Sequence, residues 1–187
     1  WQGWDGRSTN YSISGYLNKK CVSPLYKTGP AADHYPYPVF RMAEMYLNYA
    51  EALIETQDPA NFKTAKEYID KVRTRAGILG VDAAWAKSKA GKGYADTYEG
   101  LQAIVRQERQ IEFYMENHRF WDLRRWKAAE SLGVVPEGMN ISGKTDESFL
   151  TVKKLNVIRN FAQKNYLMPI PIGEVNKVPQ VIQNPGY

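Results

Sequence analysis

Two apolar stripes with helical spacing flank the Asp58-Pro59 pair, and they constrain the fold more than any other feature of the chain. The first stripe consists of Ala43, Leu47, Ala50 and Ile54, and the second of Phe62, Ala65, Ile69, Val72 and Ala76. Residues spaced in this way lie on one face of an α-helix. Asp is a preferred N-cap residue and Pro is preferred at the first helical position, so the second helix should begin at residue 59.

The pattern predicts an antiparallel helix hairpin over residues 40–57 and 59–76. A connection of so few residues keeps two helices adjacent and antiparallel. Gly77 is placed to end the second helix, and Arg73 and Arg75 lie in its last turn, where cations interact favourably with the helix dipole.

Two further helices are predicted after the hairpin. The first begins after Asp96 or Thr97 and carries Leu101, Ile104, Glu108, Ile111 and Met115 on its core face; Asn117, which tolerates a left-handed backbone, ends it. The second runs from His118 to about Glu130, with Phe120, Leu123 and Trp126 facing the core. Residues 1–40, 80–97 and 131–150 are predicted loops, residues 149–158 are a strand or simply extended, and the remainder is mostly irregular.

Composition indicates a globular chain long enough to bury a core, and we treat residues 1–187 as one domain with a loop-rich lead-in over residues 1–40. No apolar stretch reaches the roughly twenty residues of a membrane-spanning helix. A lone Cys21 excludes an intrachain disulfide, and His34 and His118 lack metal-ligand spacing, so neither a metal nor a cofactor is predicted. The chain lacks an initiator Met and a signal peptide, so we expect a fragment or a processed form.

The densest segment, ERQIEFYMENHRFWDLRRW at residues 108–126, contains a column of acids at i, i+4 and i+8: Glu108, Glu112 and Glu116. One hypothesis is a glycoside hydrolase, which needs two carboxylates about 5–10 Å apart. The favoured hypothesis is a structural ion-pair network, because like charges at this spacing repel and need nearby cations. The candidate network residues are Glu108, Arg109, Glu112, Arg119, Asp122 and Arg125, with further cations from Arg124 and from Arg73 or Arg75.

Basic and aromatic residues also alternate in this segment, which is a feature of some nucleic-acid-binding helices. Asp122 interrupts the basic set, however, and the aromatic residues fit a core-facing stripe better. The net charge of +5 permits an acidic partner without requiring one. We therefore predict no nucleic-acid partner.

Four segments, taken in order, resemble the C-terminal part of the SusD/RagB family: RMAEMYLNYAEA (residues 41–52), AKEYIDKVRTRAG (65–77), residues 108–126, and MPIPIGEVNKVPQVIQNPGY (168–187). GYLNKK at residues 15–20 gives weaker support. Asn117 departs from the family, which commonly has Gly at that position. The resemblance implies a mainly α fold with a helix hairpin, further packed helices, long irregular loops and little β-structure.

The resemblance also implies a function. Members of that family are non-catalytic outer-membrane lipoproteins that bind glycans or other nutrients on the extracellular face of Gram-negative cells. They deliver these ligands to a SusC-like TonB-dependent transporter, and their lipidated N-terminus would lie upstream of this chain. The dense segment is shared across different ligands, so its residues are assigned to fold maintenance. A helical scaffold that binds only protein remains an alternative alongside the hydrolase.

No family motif identifies a glycan-binding residue here, so the ligand candidates come from the residues themselves. Sugars stack their C–H patches on flat rings and place their hydroxyls near polar groups. The candidates are aromatic residues in polar, Gly-rich or Pro-rich segments: Trp1, Trp4, Tyr35, Tyr37 and Trp85. The alternative is that these rings cover the core.

Overall fold

The computed structural model describes residues 12–25 and 38–187, which fall into two compact units. The helical unit consists of the described residues between 21 and 120, and the mixed unit of residues 121–187 together with 12–20. Helices dominate the described ranges, as predicted: α1 (Met42–Glu55), α2 (Pro59–Arg75), α3 (Val81–Trp85), α4 (Tyr98–Glu112), α5 (His118–Arg125), α6 (Asp146–Phe149) and α7 (Ile172–Lys177), with 3₁₀ turns at Lys92–Asp96, Ala129–Gly133 and Gln163–Tyr166, and strands β1 (Glu137–Met139) and β2 (Val152–Lys154). Among these helices, none has the length and apolar character that a membrane crossing requires.

Helices α1 and α2 form the predicted hairpin and are joined by residues 56–58. The Asp58 side chain accepts a hydrogen bond from the backbone N–H of Ala60 at 2.9 Å, and Pro59 occupies the first helical position. Gln57 has a φ of 58° and turns the chain between the helices. The predicted start of α2 is therefore confirmed, together with its cap.

The end of α2 has the glycine cap that the sequence predicts, with Gly77 at a φ of 73°. The N–H of Ile78 donates to the carbonyl oxygen of Arg73 at 3.1 Å, and the N–H of Gly77 donates to that of Thr74 at 3.0 Å. These bonds form a Schellman motif, which satisfies carbonyl groups that lack a partner at a helix end. Ala76 is the C-cap residue and is exposed, so its expected place in the buried stripe was wrong.

One face each of α1, α2 and α4 forms the core of the helical unit. Both predicted stripes are buried up to Val72, and Leu47 and Ile54 are fully buried. Burying such a side chain contributes about 1.5–3 kcal/mol. The core cluster consists of Ala43, Leu47, Ala50, Ile54, Phe62, Ala65, Ile69, Val72, Val81, Ala95, Leu101, Ile104, Val105 and Phe113.

Residues 80–97, expected to be a loop, contain α3 and a 3₁₀ turn. Side-chain contacts with α2 hold both elements. Asp70 accepts a hydrogen bond at 2.7 Å from the first backbone N–H of α3. Lys66 donates to Asp82 and Asp96, each at 2.8 Å. The prediction was wrong because the spacing of apolar residues within a segment gives no information on its contacts with residues that are distant in the sequence.

Helix α4 begins as predicted, after Thr97, whose hydroxyl oxygen accepts a hydrogen bond from the N–H of Gly100 at 3.1 Å. Gly100 lies against the preceding 3₁₀ turn, and a Cβ there would lie 1.8 Å from the carbonyl oxygen of Tyr94. Only glycine allows this close approach.

The end of α4 differs from the prediction. The helix ends at Glu112, and Ile111 and Met115, expected in the core, are 63% and 58% exposed. Phe113 is buried instead, at 2% exposure. Met115 and Asn117 both have a φ of 63°, so the chain leaves the helical path before the predicted break at Asn117.

Helix α5 ends at Arg125 and not near Glu130, because Lys127 has a φ of 49° and a 3₁₀ turn follows. Its predicted core face is only partly buried. Leu123 is 2% exposed, whereas Phe120 is 43% exposed.

The predicted loop at residues 131–150 contains β1 and the single turn α6, and residues 149–158 include β2. The two strands pair antiparallel, with Gly138 opposite Lys153 and Glu137 opposite Lys154. The strand alternative for the second segment is thus confirmed. The first segment was mispredicted because a strand of three residues is too short to show an alternating pattern.

Candidate functional site

The acidic column that begins on α4 contacts an arginine from the start of α1. Arg41 donates through Nε and Nη2 to the two carboxylate oxygens of Glu116, at 2.7 and 2.8 Å. Its guanidinium also forms an ion pair with the carboxylate of Glu112 and donates to the Glu112 carbonyl oxygen at 2.7 Å. Burial lowers the pKa of Arg41, but these hydrogen bonds outweigh that effect and raise the pKa above its ordinary value.

Two arginines in the last turn of α2 bind the other side of the column. Arg75 donates through Nη2 to both carboxylate oxygens of Glu112, at 2.6 and 2.8 Å. Arg73 forms an ion pair with Glu108, and both residues are buried. Burial raises the pKa of Glu108 above its ordinary value, and the positive charge of Arg73 opposes that shift.

Arg109 forms a separate buried group with α1. Its Nη1 donates to Asn48 Oδ1 at 2.6 Å, and its Nε lies 3.5 Å from Glu51 Oε2. Its guanidinium carbon lies 5.1 Å from the centre of the Phe113 ring, and so does that of Arg41. Sequence reasoning missed Arg41 and Glu51 as network members. The signal for Arg41 was its place in the first family-like segment.

The arginine contacts limit what the acidic column can do chemically. A glycosidase needs a carboxylic acid that reaches the glycosidic oxygen and a second carboxylate with access to the sugar or to water. Glu108 has the raised pKa of a general acid, but it is only 7% exposed. Glu112 and Glu116 have their oxygens occupied by guanidinium groups. This arrangement fits a structural network better than a catalytic pair.

The remaining predicted network residues lie on α5. Asp122 is buried, and its Oδ1 accepts a hydrogen bond from Nε of Arg125 at 2.9 Å and lies 2.9 Å from Nη2 of the same ion pair. The guanidinium of Arg125 also lies 4.7 Å from the centre of the Trp126 ring. Arg124 lies over Phe161, and Arg119 is half-buried. Arg124 and Arg125 thus make contacts within the protein, which argues against a nucleic-acid-binding helix.

Four of the five predicted ligand-binding aromatics, Trp1, Trp4, Tyr35 and Tyr37, lie outside the described residues. Trp85 is at the end of α3, is half-buried and packs against the core cluster. The guanidinium carbon of Arg73 lies 5.5 Å from its ring centre. The contact with Arg73 connects Trp85 to the ion pair of Glu108.

A pocket of about 280 Å³ lies beside the β1–β2 pair in the mixed unit. Its lining combines apolar side chains with lysines and amides: Ile13, Met139, Asn140, Ile141, Ser142, Lys153, Lys154, Leu155 and Asn156. Sequence reasoning missed this site because it treated residues 131–150 as a loop and left residues 12–16 unconnected to them. A second pocket, of about 260 Å³, lies in the connection between the strands and includes Lys144 and Phe149.

Within residues 12–25 and 38–187, no group of three or more His, Cys, Asp and Glu side chains is arranged to hold a metal ion.

Comparison with known proteins gives consistent matches. The model of the SusD family matches residues 3–187, which includes most of the lead-in that the sequence motifs do not cover. SusD-like protein P25 of Formosa agariphila is 30% identical over 153 residues, which are 80% of this chain and 24% of that protein.

Two solved structures are also similar. BT4246 is 31% identical, with a TM-score of 0.77 over 95% of this chain and 29% of its own. A SusD-like protein of Bacteroides fragilis, BF3747, is 30% identical, with a TM-score of 0.62 over 82% of this chain and 28% of its own. The chain thus spans between 24% and 29% of the length of these three proteins.

Proposed function

This chain belongs to the SusD family, and we propose that it is part of a non-catalytic protein that binds glycans or another nutrient at the cell surface. The ligand would pass to a SusC-like TonB-dependent transporter in the outer membrane. A lipidated N-terminus would hold the protein on the extracellular face of that membrane. The observation that carries this proposal is the family match over residues 3–187, supported by similarity to two solved structures.

The geometry of the acidic column supports a non-catalytic role. Its carboxylates bind arginines from α1 and α2, and the one with the raised pKa is buried. Removing one partner from such a pair leaves a stranded charge, so the arrangement suits fold maintenance.

We further propose that ligand contacts in this chain come from aromatic rings outside the dense segment: Trp1, Trp4, Tyr35, Tyr37 and Trp85. The ring of Trp85 packs on the core and against Arg73, while part of its surface remains open. A ring held in this way can stack on a sugar with little loss of conformational entropy.

The test is retention of the full-length protein in native gels that contain a polysaccharide, followed by chromatography of each oligosaccharide after incubation with excess protein. Retention with intact oligosaccharide is the expected result. Release of shorter sugars would instead favour the hydrolase, and Glu112→Gln would then remove the activity. No retention on any polysaccharide, together with co-purification of another protein, would favour the protein-binding scaffold.

A separate experiment tests the ligand aromatics. Alanine substitution at each of the five positions should weaken affinity for at least one retained glycan, as measured by isothermal titration calorimetry. Tyr114→Ala is the matched control, because Tyr114 is exposed on the dense segment. Unchanged affinity in all five variants would place glycan recognition elsewhere.

A further inference from the structure

The pocket beside β1 and β2 has an unusual balance of charge. Lys153 and Lys154 line it, and no acidic side chain does. Neither lysine forms an ion pair within the described part of the chain, although Glu137 lies opposite Lys154 across the strands. The pocket therefore carries positive charge that the described protein groups do not neutralise.

Strand register places Lys153 next to the apolar part of the pocket lining. Successive strand residues face opposite sides of a sheet, so Lys153 and Leu155 share one face. Directly opposite Lys153 is Gly138, and Ser14 and Leu155 occupy the space that a side chain at position 138 would take. A Cβ at position 138 would lie 2.8 Å from both Cα and O of Ser14, so the close packing of that segment requires glycine.

The remaining lining suits a sugar ring. Ile13, Ile141 and Leu155 provide apolar surface for C–H groups, and Ser142 and Asn156 provide donors and acceptors for hydroxyls. A volume of about 280 Å³ is at the small end of ligand pockets, which fits a single sugar residue better than a long segment of chain.

We infer that this pocket binds an acidic sugar residue of the glycan, with Lys153 contacting its carboxylate or sulfate group. This inference rests on the proposed glycan-binding function and narrows its substrate class. Charge-assisted hydrogen bonds from an ammonium group are stronger than neutral ones, so an acidic sugar would be preferred over its neutral counterpart. Asn140, which also lines the pocket, donates a hydrogen bond from its Nδ2 to the carbonyl oxygen of Ser148 at 3.0 Å.

The experiment uses three galactose-based probes that differ in charge: neutral galacto-oligosaccharides, oligogalacturonates and carrageenan oligosaccharides. Calorimetry with the full-length protein at low and high salt is expected to show binding of at least one acidic probe that weakens with salt, because salt screens exposed charges. Comparison of the oligogalacturonates, which carry carboxylates, with the carrageenan oligosaccharides, which carry sulfates, identifies which of the two anionic groups the pocket binds.

Substitutions at Lys153 test its contact with the acidic group of the probe. Lys153→Gln is expected to weaken binding of the acidic probe about three- to tenfold, as expected for one exposed charge-assisted contact. Lys153→Arg should restore most of the affinity. Lys87→Gln, an exposed lysine in the helical unit, is the charge-matched control and should change nothing.

The outcomes separate this inference from the proposed function. If the neutral probe binds as tightly as the acidic ones, or if Lys153→Gln binds the acidic probe like the wild type, the pocket inference is wrong while glycan binding stands. If no probe binds and no polysaccharide retains the protein in native gels, both are wrong.

Discussion

The side-chain amide of Gln183 pairs with both backbone polar groups of Ile170. Its Oε1 accepts a hydrogen bond from the Ile170 N–H at 2.8 Å, and its Nε2 donates to the Ile170 carbonyl oxygen at 2.8 Å. Asn184 adds a bond from Nδ2 to the carbonyl oxygen of Met168 at 2.6 Å, and the Tyr187 hydroxyl donates to that of Leu167 at 3.1 Å. The terminal QNPGY segment is thus held against residues 167–170 by side-chain hydrogen bonds and not by β-sheet pairing.

This relationship predicts that Gln183→Leu destabilises the mixed unit by about 1–3 kcal/mol. The two bonds to Ile170 contribute about 0.5–1.5 kcal/mol net each, and the bond from the Asn184 N–H to Gln183 Oε1 at 2.9 Å is lost with them. Chemical denaturation should show a lower midpoint with an unchanged slope. Gln180→Leu is the control, because Gln180 is exposed. An equal loss of stability in both variants would contradict the stabilising role of the Gln183 hydrogen bonds.

A second prediction concerns Glu112, which contacts both Arg41 and Arg75. Glu112→Ala should destabilise the protein by about 3 kcal/mol, the low end of the cost of breaking a buried pair. The low end applies because Arg75 is 58% exposed and can be solvated, whereas Arg41 is 19% exposed. Thermal and denaturant unfolding measure the effect.

Glu67→Ala is the control for that substitution. Glu67 is exposed on α2, so its removal should change stability by less than about 0.5 kcal/mol. Glycan binding, where the wild type shows it, should persist in folded Glu112→Ala protein. A melting temperature equal to that of the wild type would mean that the ion pairs of Glu112 do not contribute to the stability of the protein.

Local sequence signals were sufficient for the hairpin. Asp58 and Pro59 set the start of α2, Gly77 set its end, and the apolar spacing identified the buried faces. Each of these features acts within about one helical turn, which is the range that periodicity and capping rules describe.

Long-range partners were not visible in the sequence. Arg41 lies 71 residues from Glu112, and apart from its place in the first family-like segment, no local pattern distinguishes it from the other arginines of the chain. The early end of α4 was missed because Met115, unlike Gly or Asn, rarely adopts a positive φ. The pocket was missed because it needs Ile13, β1 and β2 together, and only the folded chain brings them together.

A third prediction concerns pH. The hydroxyl of Tyr166 donates to the carboxylate of Glu130, and this bond lowers the pKa of Glu130. A carboxyl group with a lowered pKa contributes stability above its unfolded pKa, and the contribution is lost as pH falls through the folded pKa. Tyr166→Phe should therefore raise the pKa of Glu130, as followed by carboxyl-carbon NMR.

The stability deficit of the same variant should shrink as pH falls from 7 through the folded pKa of Glu130, because acid increasingly protonates Glu130 in both proteins. Part of the deficit should persist in acid, since Tyr166 also accepts a hydrogen bond from the N–H of Ala129 at 3.0 Å. Tyr114→Phe is the control and should leave the Glu130 titration unchanged. A Glu130 titration that is identical in the wild type and Tyr166→Phe would contradict the prediction.

The last prediction compares glycine-to-alanine substitutions at Gly100 and Gly173, which should change the free energy of unfolding in opposite directions. At Gly100 a Cβ would lie 1.8 Å from the carbonyl oxygen of Tyr94, so Gly100→Ala must displace the 3₁₀ turn that precedes α4. Overpacking of this kind typically costs about 1–3 kcal/mol. At Gly173, inside α7, nothing lies within 4 Å of the added Cβ. Gly173→Ala should therefore stabilise by less than about 1 kcal/mol, because alanine loses less backbone entropy in a helix and Gly173 is the second residue of α7. Denaturant unfolding of both variants measures the difference, and Gly100→Ala that is as stable as the wild type would show that the turn before α4 can move without cost.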